Sequence, residues 1–276
     1  MQLLTPDWPD APDSIGALAT LRGGGVSAMP YGDGQGGGGL NLGLHVGDQA
    51  EQVMQNRRLL QAVLPGQATW LSQVHGTAVL EVVDAGSLAV GLAEGLTGLG
   101  SQAPQADASF SSARGAVCAI LTADCLPVLL CDAQGSVVAA AHAGWRGLAA
   151  GVLSRTVGAM RAAGAGEILA WLGPAIGPRQ FEVGAEVRQA FLDGAPDVVC
   201  AQQMMAAFAP IACLSGQVSE HKFLADIYAL ARAMLQRDGV QRIAGGQFCT
   251  VSEPLRFYSY RRDAVTGRQA SLIWRK

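Results

Sequence analysis

Charge is scarce in this chain: Asp, Glu, Lys and Arg make up 15% of its 276 residues, and acids outnumber bases by only 22 to 19. With a formal net charge of -3, no run of Lys or Arg is available to track a phosphate backbone. Arg57-Arg58 and Arg261-Arg262 are adjacent pairs that do not extend into a basic stripe, so nucleic acid is not an expected partner. Long apolar runs are missing too. The most apolar stretch, 115–131, is interrupted by Thr122, Asp124 and Pro127, whereas a membrane span needs roughly 20 apolar residues. The opening MQLLTPDWPD carries acids where a secretory leader carries bases, and no long apolar segment follows. Six cysteines, at 118, 125, 131, 200, 213 and 249, are too few and too scattered to form a disulfide scaffold. A reducing cytoplasm is the expected location.

What the chain does have is apolar material. Half of its residues are hydrophobic, enough for a sizeable core, and no linker divides it, so residues 1–276 read as one domain. The run YGDGQGGGG, from Gly32 to Gly39, contains a Gly-x-Gly-x-x-Gly spacing. A dinucleotide site needs a helix directly after it to hold the pyrophosphate, and NLGLHVGD follows instead. That run reads as a mobile surface loop. A helix comes next, with Asp48 as its cap, Glu51 as capping-box partner and an apolar stripe of Val53, Leu60, Val63 and Leu64 before Pro65-Gly66.

Strand-like runs follow at 69–74 and 78–83, then a Gly/Ala/Leu-rich connector at 85–105. Three short apolar runs, 117–122, 127–131 and 137–141, suggest buried strands at the centre. Residues 148–163 read as a helix and 168–172 as a strand. Further helices are expected at 185–192 and 224–237, and closing strands at 246–251, 257–260 and 270–274. Strands and helices mixed throughout indicate an α/β domain with a mixed sheet.

Histidine is rarer still: His45, His75, His142 and His221 are the only four. The first three sit in Leu-His-Val-Gly, Val-His-Gly and Ala-His-Ala-Gly, where a strand ending in His then Gly presents the imidazole at a sheet rim. Between them lies Leu121-Thr122-Ala123-Asp124-Cys125-Leu126-Pro127, a polar interruption that requires compensation for burying Asp124. Cys118 and Cys131 read as small core hydrophobes, and Cys125 as functional. Gly144-Trp145-Arg146-Gly147 leads into a helix, which makes Arg146 a phosphate-binding candidate or an arginine stacked on Trp145 or paired with a surface acid. Two His and one Cys, without the Cys-x-x-Cys clamps of closed structural sites, leave zinc an open coordination position. The same residues also suit a metal-free Cys–His pair with Cys125 as nucleophile. Four histidines are too few for a multicopper cluster.

NLGLHVGD (41–48), QNRRLL (55–60), SQVHG (72–76), LTADCLPVLL (121–130), HAGWRG (142–147), GPAIG (173–177) and SYRRDAVTGR (259–268) together resemble the YfiH-like family. That family is also labelled laccase-domain, multicopper polyphenol oxidase and purine nucleoside phosphorylase. The resemblance implies a layered α/β (α+β) sandwich and a zinc ion held by His75, Cys125 and His142, with copper the lesser choice. It implies phosphorolysis of adenosine, inosine, guanosine and methylthioadenosine, with adenosine deamination as a second activity. It places His45, Arg57, Gln73, Asp124 and Arg146 around one pocket, with Asp124, Arg146 and His45 in catalytic roles and Arg57 and Gln73 binding substrate. Asp107, Asp226, Tyr258 and Arg261 read as fold supports. One departure is Arg179-Gln180, where the family commonly has a Cys pair. Against the phosphorylase stand a metal-free Cys–His amide hydrolase or deamidase, including one that edits cell-wall precursors, a metal-stabilised binding protein, and a copper polyphenol oxidase.

Overall fold

In the computed structural model, residues 1–83, 103–212 and 218–276 are described. Two mixed sheets stack face to face, and helices cover both outer faces. The first sheet joins β1 (Leu3–Leu4), β2 (Ile15–Thr20), β15 (Gln269–Arg275), β7 (Val117–Thr122) and β4 (Ala68–Thr69) in that order. The second runs β14 (Arg242–Gly245), β10 (Ile168–Leu172), β8 (Leu126–Asp132), β9 (Val138–Ala143), β6 (Ala108–Ser111) and β5 (Val79–Glu81). Pairing is mostly antiparallel, with parallel pairs β4–β7, β5–β6 and β10–β14.

The layering follows from strand periodicity. On β7, Cys118 and Ile120 enter the core between the sheets, where Leu129, Cys131, Val138, Ala140, Leu169 and Trp171 of the second sheet meet them. Val117, Ala119 and Leu121 point the other way, toward Leu60 and Leu64 at the end of α1 (Ala50–Gln61). On β8, Val128 and Leu130 face α3 (Val152–Ala162) and α6 (Ile227–Arg237). Strands buried on both faces need apolar side chains in both registers, which is why the central runs lack a polar–apolar alternation. Each large aliphatic side chain buried there contributes about 1.5–3 kcal/mol.

A third, smaller sheet of β11 (Glu182–Gly184), β13 (Val218–Ala225) and β12 (Phe208–Ala212) packs with α4 (Ala185–Asp193) and α5 (Val198–Ala206). The remaining elements are β3 (Gly23–Ser27), α2 (Trp145–Ala149) and α7 (Tyr260–Asp263). No helix among the described residues is long and apolar enough to cross a membrane.

Several sequence expectations need correction. Asp48 does not cap α1: the helix starts one residue later, and the Asp48 carboxylate instead accepts hydrogen bonds from Ser27, Asn41 and the Gln49 amide. The helix expected at 148–163 is two, α2 and α3, separated at Gly151, whose φ is 93°. Residues 224–225 end β13, and α6 begins only after Asp226, which caps it by accepting from the Ala229 amide. Neither 246–251 nor 257–260 is a strand. Phe257 and Tyr258 are buried in a loop leading to α7, because a short apolar run reports burial and not conformation. Within the run from Gly32 to Gly39, Asp33 accepts from the Gln35 and Gly37 amides, and the Gly38 carbonyl accepts from Gly24 and Gly25. Residues 84–102, most of the expected connector, lie outside the described residues.

Candidate metal centre and substrate cavity

Three chain segments end at one rim of the double sheet. His142 lies near the end of β9, Cys125 in the turn from β7 to β8, and His75 in the loop after β4. Their donor atoms all lie within 4.8 Å of one another, and Cys125 Sγ is 3.7 Å from His75 Nε2. His142 is buried, Cys125 half-buried and His75 exposed, so the group opens to solvent on the His75 side. Two turns in left-handed backbone bring the donors inward: φ is 61° at His75 and 91° at Asp124. Non-glycine residues hold such angles only where the surroundings enforce them.

Asp107 enforces the first. Its carboxylate accepts from the amides of Val74, His75 and Gly76 at 3.1, 2.9 and 2.7 Å, and from His142 Nδ1 at 2.8 Å. The Nδ1 proton thereby points at Asp107 and leaves Nε2 of His142 as a free donor for a cation, the arrangement carboxylates impose on metal-binding histidines. Burial disfavours the Asp107 charge, but the His142 ring and the Gly76 and Val74 amides outweigh it and hold the carboxyl below its ordinary range. Asp107 was read from sequence as a fold support. It is also the residue that orients one donor and fixes the backbone of another, and only its place directly ahead of β6, beside β9, reveals this.

Asp124 enforces the second turn. Its oxygens accept from Thr250 Oγ1 and from the Arg261 amide, both at 2.6 Å. The compensation expected for this buried carboxylate therefore comes from neutral donors. Asp124 sets the path of the chain at Cys125, and it does not line the cavity. Gly144 provides the space: a Cβ there would lie 2.8 Å from His75 Cδ2 and 3.1 Å from Cys125 Sγ.

Without a cation, the donors pair with one another. Burial opposes a thiolate at Cys125, but His142 and His75 outweigh it and draw the thiol down to about 6. Burial likewise opposes a charged His142, and Cys125 and Asp107 raise it to about 9. By contrast, burial drives Cys118 and Cys131 up to about 12, as inert core thiols. A soft thiolate with two imidazoles, one held in its donor tautomer, suits zinc and leaves a fourth position open. Among the described residues this is the single group of three such donors.

A cavity of about 350 Å³ opens on the triad, lined also by His45, Leu71, Gln73, Leu121, Thr122, Ala123, Tyr260 and Arg268. Of the residues expected around it, His45 and Gln73 are there and Arg57 and Arg146 are not. Arg57 turns Nε and Nη2 to the Leu42 carbonyl at 3.0 and 2.8 Å and lies 4.3 Å over the Trp70 ring. Arg146 is exposed, 4.4 Å over the Trp145 ring, the stacked alternative among those read from its motif. Gln73 clasps Leu121 at both ends of its amide, at 2.8 Å each, and so fastens the His75 loop to β7. Burial lowers the pKa of His45, and the charges of Arg268 and Arg57 lower it further, so the ring is neutral at neutral pH. Thr122 is buried, and its hydroxyl has no hydrogen-bond partner. Arg268 and Thr122 were not among the candidates drawn from sequence.

The profile of a family described as multi-copper polyphenol oxidoreductase laccase matches residues 16–276. A purine nucleoside phosphorylase of Pseudomonas aeruginosa is 48% identical over 271 residues, covering 98% of this chain and 97% of the relative. Purine nucleoside phosphorylase YfiH of Escherichia coli is 47% identical over 277 residues, covering 99% and 98%. Among solved structures, a Neisseria meningitidis DUF152 protein covers 100% of both chains at 46% identity with a TM-score of 0.80. YlmD of Geobacillus stearothermophilus covers 100% of this chain and 98% of its own at 29% identity, with a TM-score of 0.79.

Proposed function

This chain belongs to the multi-copper polyphenol oxidoreductase laccase family, and we propose that it is a zinc-dependent purine nucleoside phosphorylase. It splits adenosine, inosine, guanosine or methylthioadenosine with inorganic phosphate into free base and ribose 1-phosphate, and deaminates adenosine as a second activity. The observation that carries the reading is the three-donor group of His75, Cys125 and His142 at the wall of a nucleoside-sized cavity. The relatives named as purine nucleoside phosphorylases, matched over 97% and 98% of their length, support the substrate class.

Zinc would be held by His75, Cys125 and His142, and it would supply Lewis acidity to an oxygen or nitrogen of the substrate. The chain's own residues do the rest. His45, neutral in the cavity, offers one ring nitrogen as donor and the other as acceptor, which suits it to hold a purine edge or a transferring proton. Leu71, Leu121 and Ala123 give the base an apolar bed. Gln73, Asp107 and Asp124 act on position: their polar groups are engaged with backbone or with His142. Copper oxidase chemistry finds less support, since it needs several coppers and the one three-donor group among the described residues would hold one.

Two measurements on metal-replete protein test this reading. Elemental mass spectrometry should find about one zinc per chain in wild type and little in Cys125→Ala. Chromatography should show free base released from adenosine only when phosphate is present. Metal-free protein that cleaves an amide and is blocked by thiol alkylation would move the assignment to the Cys–His hydrolase.

A further inference from the structure

Arg57, Arg146 and Arg268 differ in what their guanidinium groups already hold. Arg57 spends two donors on the Leu42 carbonyl, and Arg146 is exposed on Trp145. Arg268 is different. It lines the cavity with the metal donors, and it is only partly open to solvent. Its backbone amide donates to Asn41 Oδ1 at 2.9 Å, and the same oxygen accepts from the Gly43 amide at 3.0 Å, so the NLG turn and the start of β15 are locked together. The arginine stem then runs across Gly43, where a Cβ would come within 2.8 Å of Arg268 Cγ. Nη1 donates to the carbonyls of Thr266 and Gly267 at 3.1 and 3.0 Å. Among the described residues, Nε and Nη2 have no hydrogen-bond partner and no carboxylate lies within ion-pair distance of the group.

A guanidinium fixed at one end, its other edge unpaired, is arranged to receive a planar or tetrahedral oxyanion through two parallel N–H bonds. Its neighbour agrees with that use. His45, which the same Gly43 admits to the cavity at 3.5 Å from the position of a Cβ, is neutral and does not compete for the anion as a second cation.

Resting on the phosphorolytic reading of this cavity, we propose that Arg268 is the residue that binds the inorganic phosphate co-substrate. It holds the phosphate by its Nε–Nη2 edge in the cavity shared with the metal donors, while the nucleoside occupies the apolar side. One oxygen of hydrogen phosphate then attacks the anomeric carbon of the ribose, the carbon–nitrogen bond to the purine breaks, its electron pair leaves with the base, and the base gains the one proton that the phosphate loses. Arg268 keeps its proton throughout and neutralises charge on the phosphate.

The test uses zinc-loaded wild type, Arg268→Gln and Arg268→Lys. The KM for phosphate should rise about 10- to 100-fold in Arg268→Gln, the range for losing a charge-assisted bidentate contact, with partial recovery in Arg268→Lys. The KM for nucleoside should move less than about threefold, and zinc content should be unchanged, since the arginine contacts neither. Titration of inorganic phosphate followed by phosphorus NMR line broadening gives a readout independent of turnover, and broadening should be lost in Arg268→Gln. If Arg268→Gln is insoluble, Arg268→Lys and phosphate binding to wild type carry the same comparison. Phosphate-dependent cleavage with an unchanged phosphate KM in the variants would overturn the role of Arg268 and leave the phosphorylase standing. Arginine-dependent phosphate binding without nucleoside cleavage would do the reverse.

Discussion

Asp107 and His142 are joined twice, side chain to side chain and backbone to backbone. The carboxylate takes the imidazole Nδ1 at 2.8 Å, and the His142 amide donates to the Asp107 carbonyl at 2.7 Å. The second bond is a rung between neighbouring strands; the first converts that rung into control of a ring. Since the same carboxylate also accepts three amides around His75, one buried acid sets two of the three donors.

Asp107→Asn preserves shape but offers an amide in place of an anion. Zinc affinity should fall about 10- to 100-fold, the usual effect of removing an outer carboxylate from a histidine ligand. Competition with a chromogenic chelator measures this directly. An unchanged affinity would show that the ring needs no carboxylate to present Nε2.

Arg146→Ala separates motif from geometry. The side chain is exposed and stacked on Trp145, so its loss should change stability by no more than about 0.5 kcal/mol and leave the phosphate KM within about twofold of wild type. Steady-state kinetics at varied phosphate decides it, and a large rise in that KM would return the phosphate role to Arg146.

These two arginines show where the sequence stops being informative. Each lies in a Gly-flanked motif, and nothing in HAGWRG or VTGR says which side chain turns toward the cavity. The donors were legible because His75 and His142 each end an apolar run beside glycine, and because Asp124-Cys125 breaks one. The central strands β7, β8, β9 and β10 were legible for the same reason, being apolar on both faces. Asp107 was hidden, since an acid ahead of a short strand acquires its role only when β6 pairs with β9. The small sheet was also hidden: β12 and β13 carry Pro210, Glu220, His221 and Lys222, and their polar content resembles loop. The strands expected at 246–251 and 257–260 failed because a buried loop and a short strand share one composition.

Asp132 offers a test of pH linkage away from the site. Its buried carboxylate accepts from the Ser136 and Val137 amides at 2.6 and 2.9 Å and from Ser136 Oγ at 2.7 Å, closing the turn between β8 and β9. Burial raises its pKa, but the Ser136 and Val137 hydrogen bonds prevail and leave it below the ordinary carboxyl value. A depressed folded pKa means the stabilisation is complete above the unfolded value, about 3.9, and is lost as pH falls through the folded one. Asp132→Ala should therefore cost about 1–3 kcal/mol at pH 7, with the gap to wild type narrowing toward strong acid. Urea unfolding at a series of pH values measures it, and a gap that widened on acidification would contradict the sign.

Gly144→Ala tests whether the donor geometry is as tight as it looks. The added methyl would sit 2.8 Å from His75 Cδ2 and 3.1 Å from Cys125 Sγ, closer than carbon and sulfur tolerate, so one donor must move. Gly144 has φ of -59°, an angle alanine adopts freely, so backbone strain is not added to the steric effect. His75 is exposed and sits on a loop, whereas Cys125 is held between two strands of the core, so His75 should give way. Its displacement removes one of three donors without touching the core. The expected result is a fall in zinc affinity of at least about tenfold with little change in melting temperature of the metal-free protein. If instead the melting temperature collapses and the affinity per folded molecule holds, Gly144 serves the packing of α2 against the sheet and the donors have more room than the distances imply.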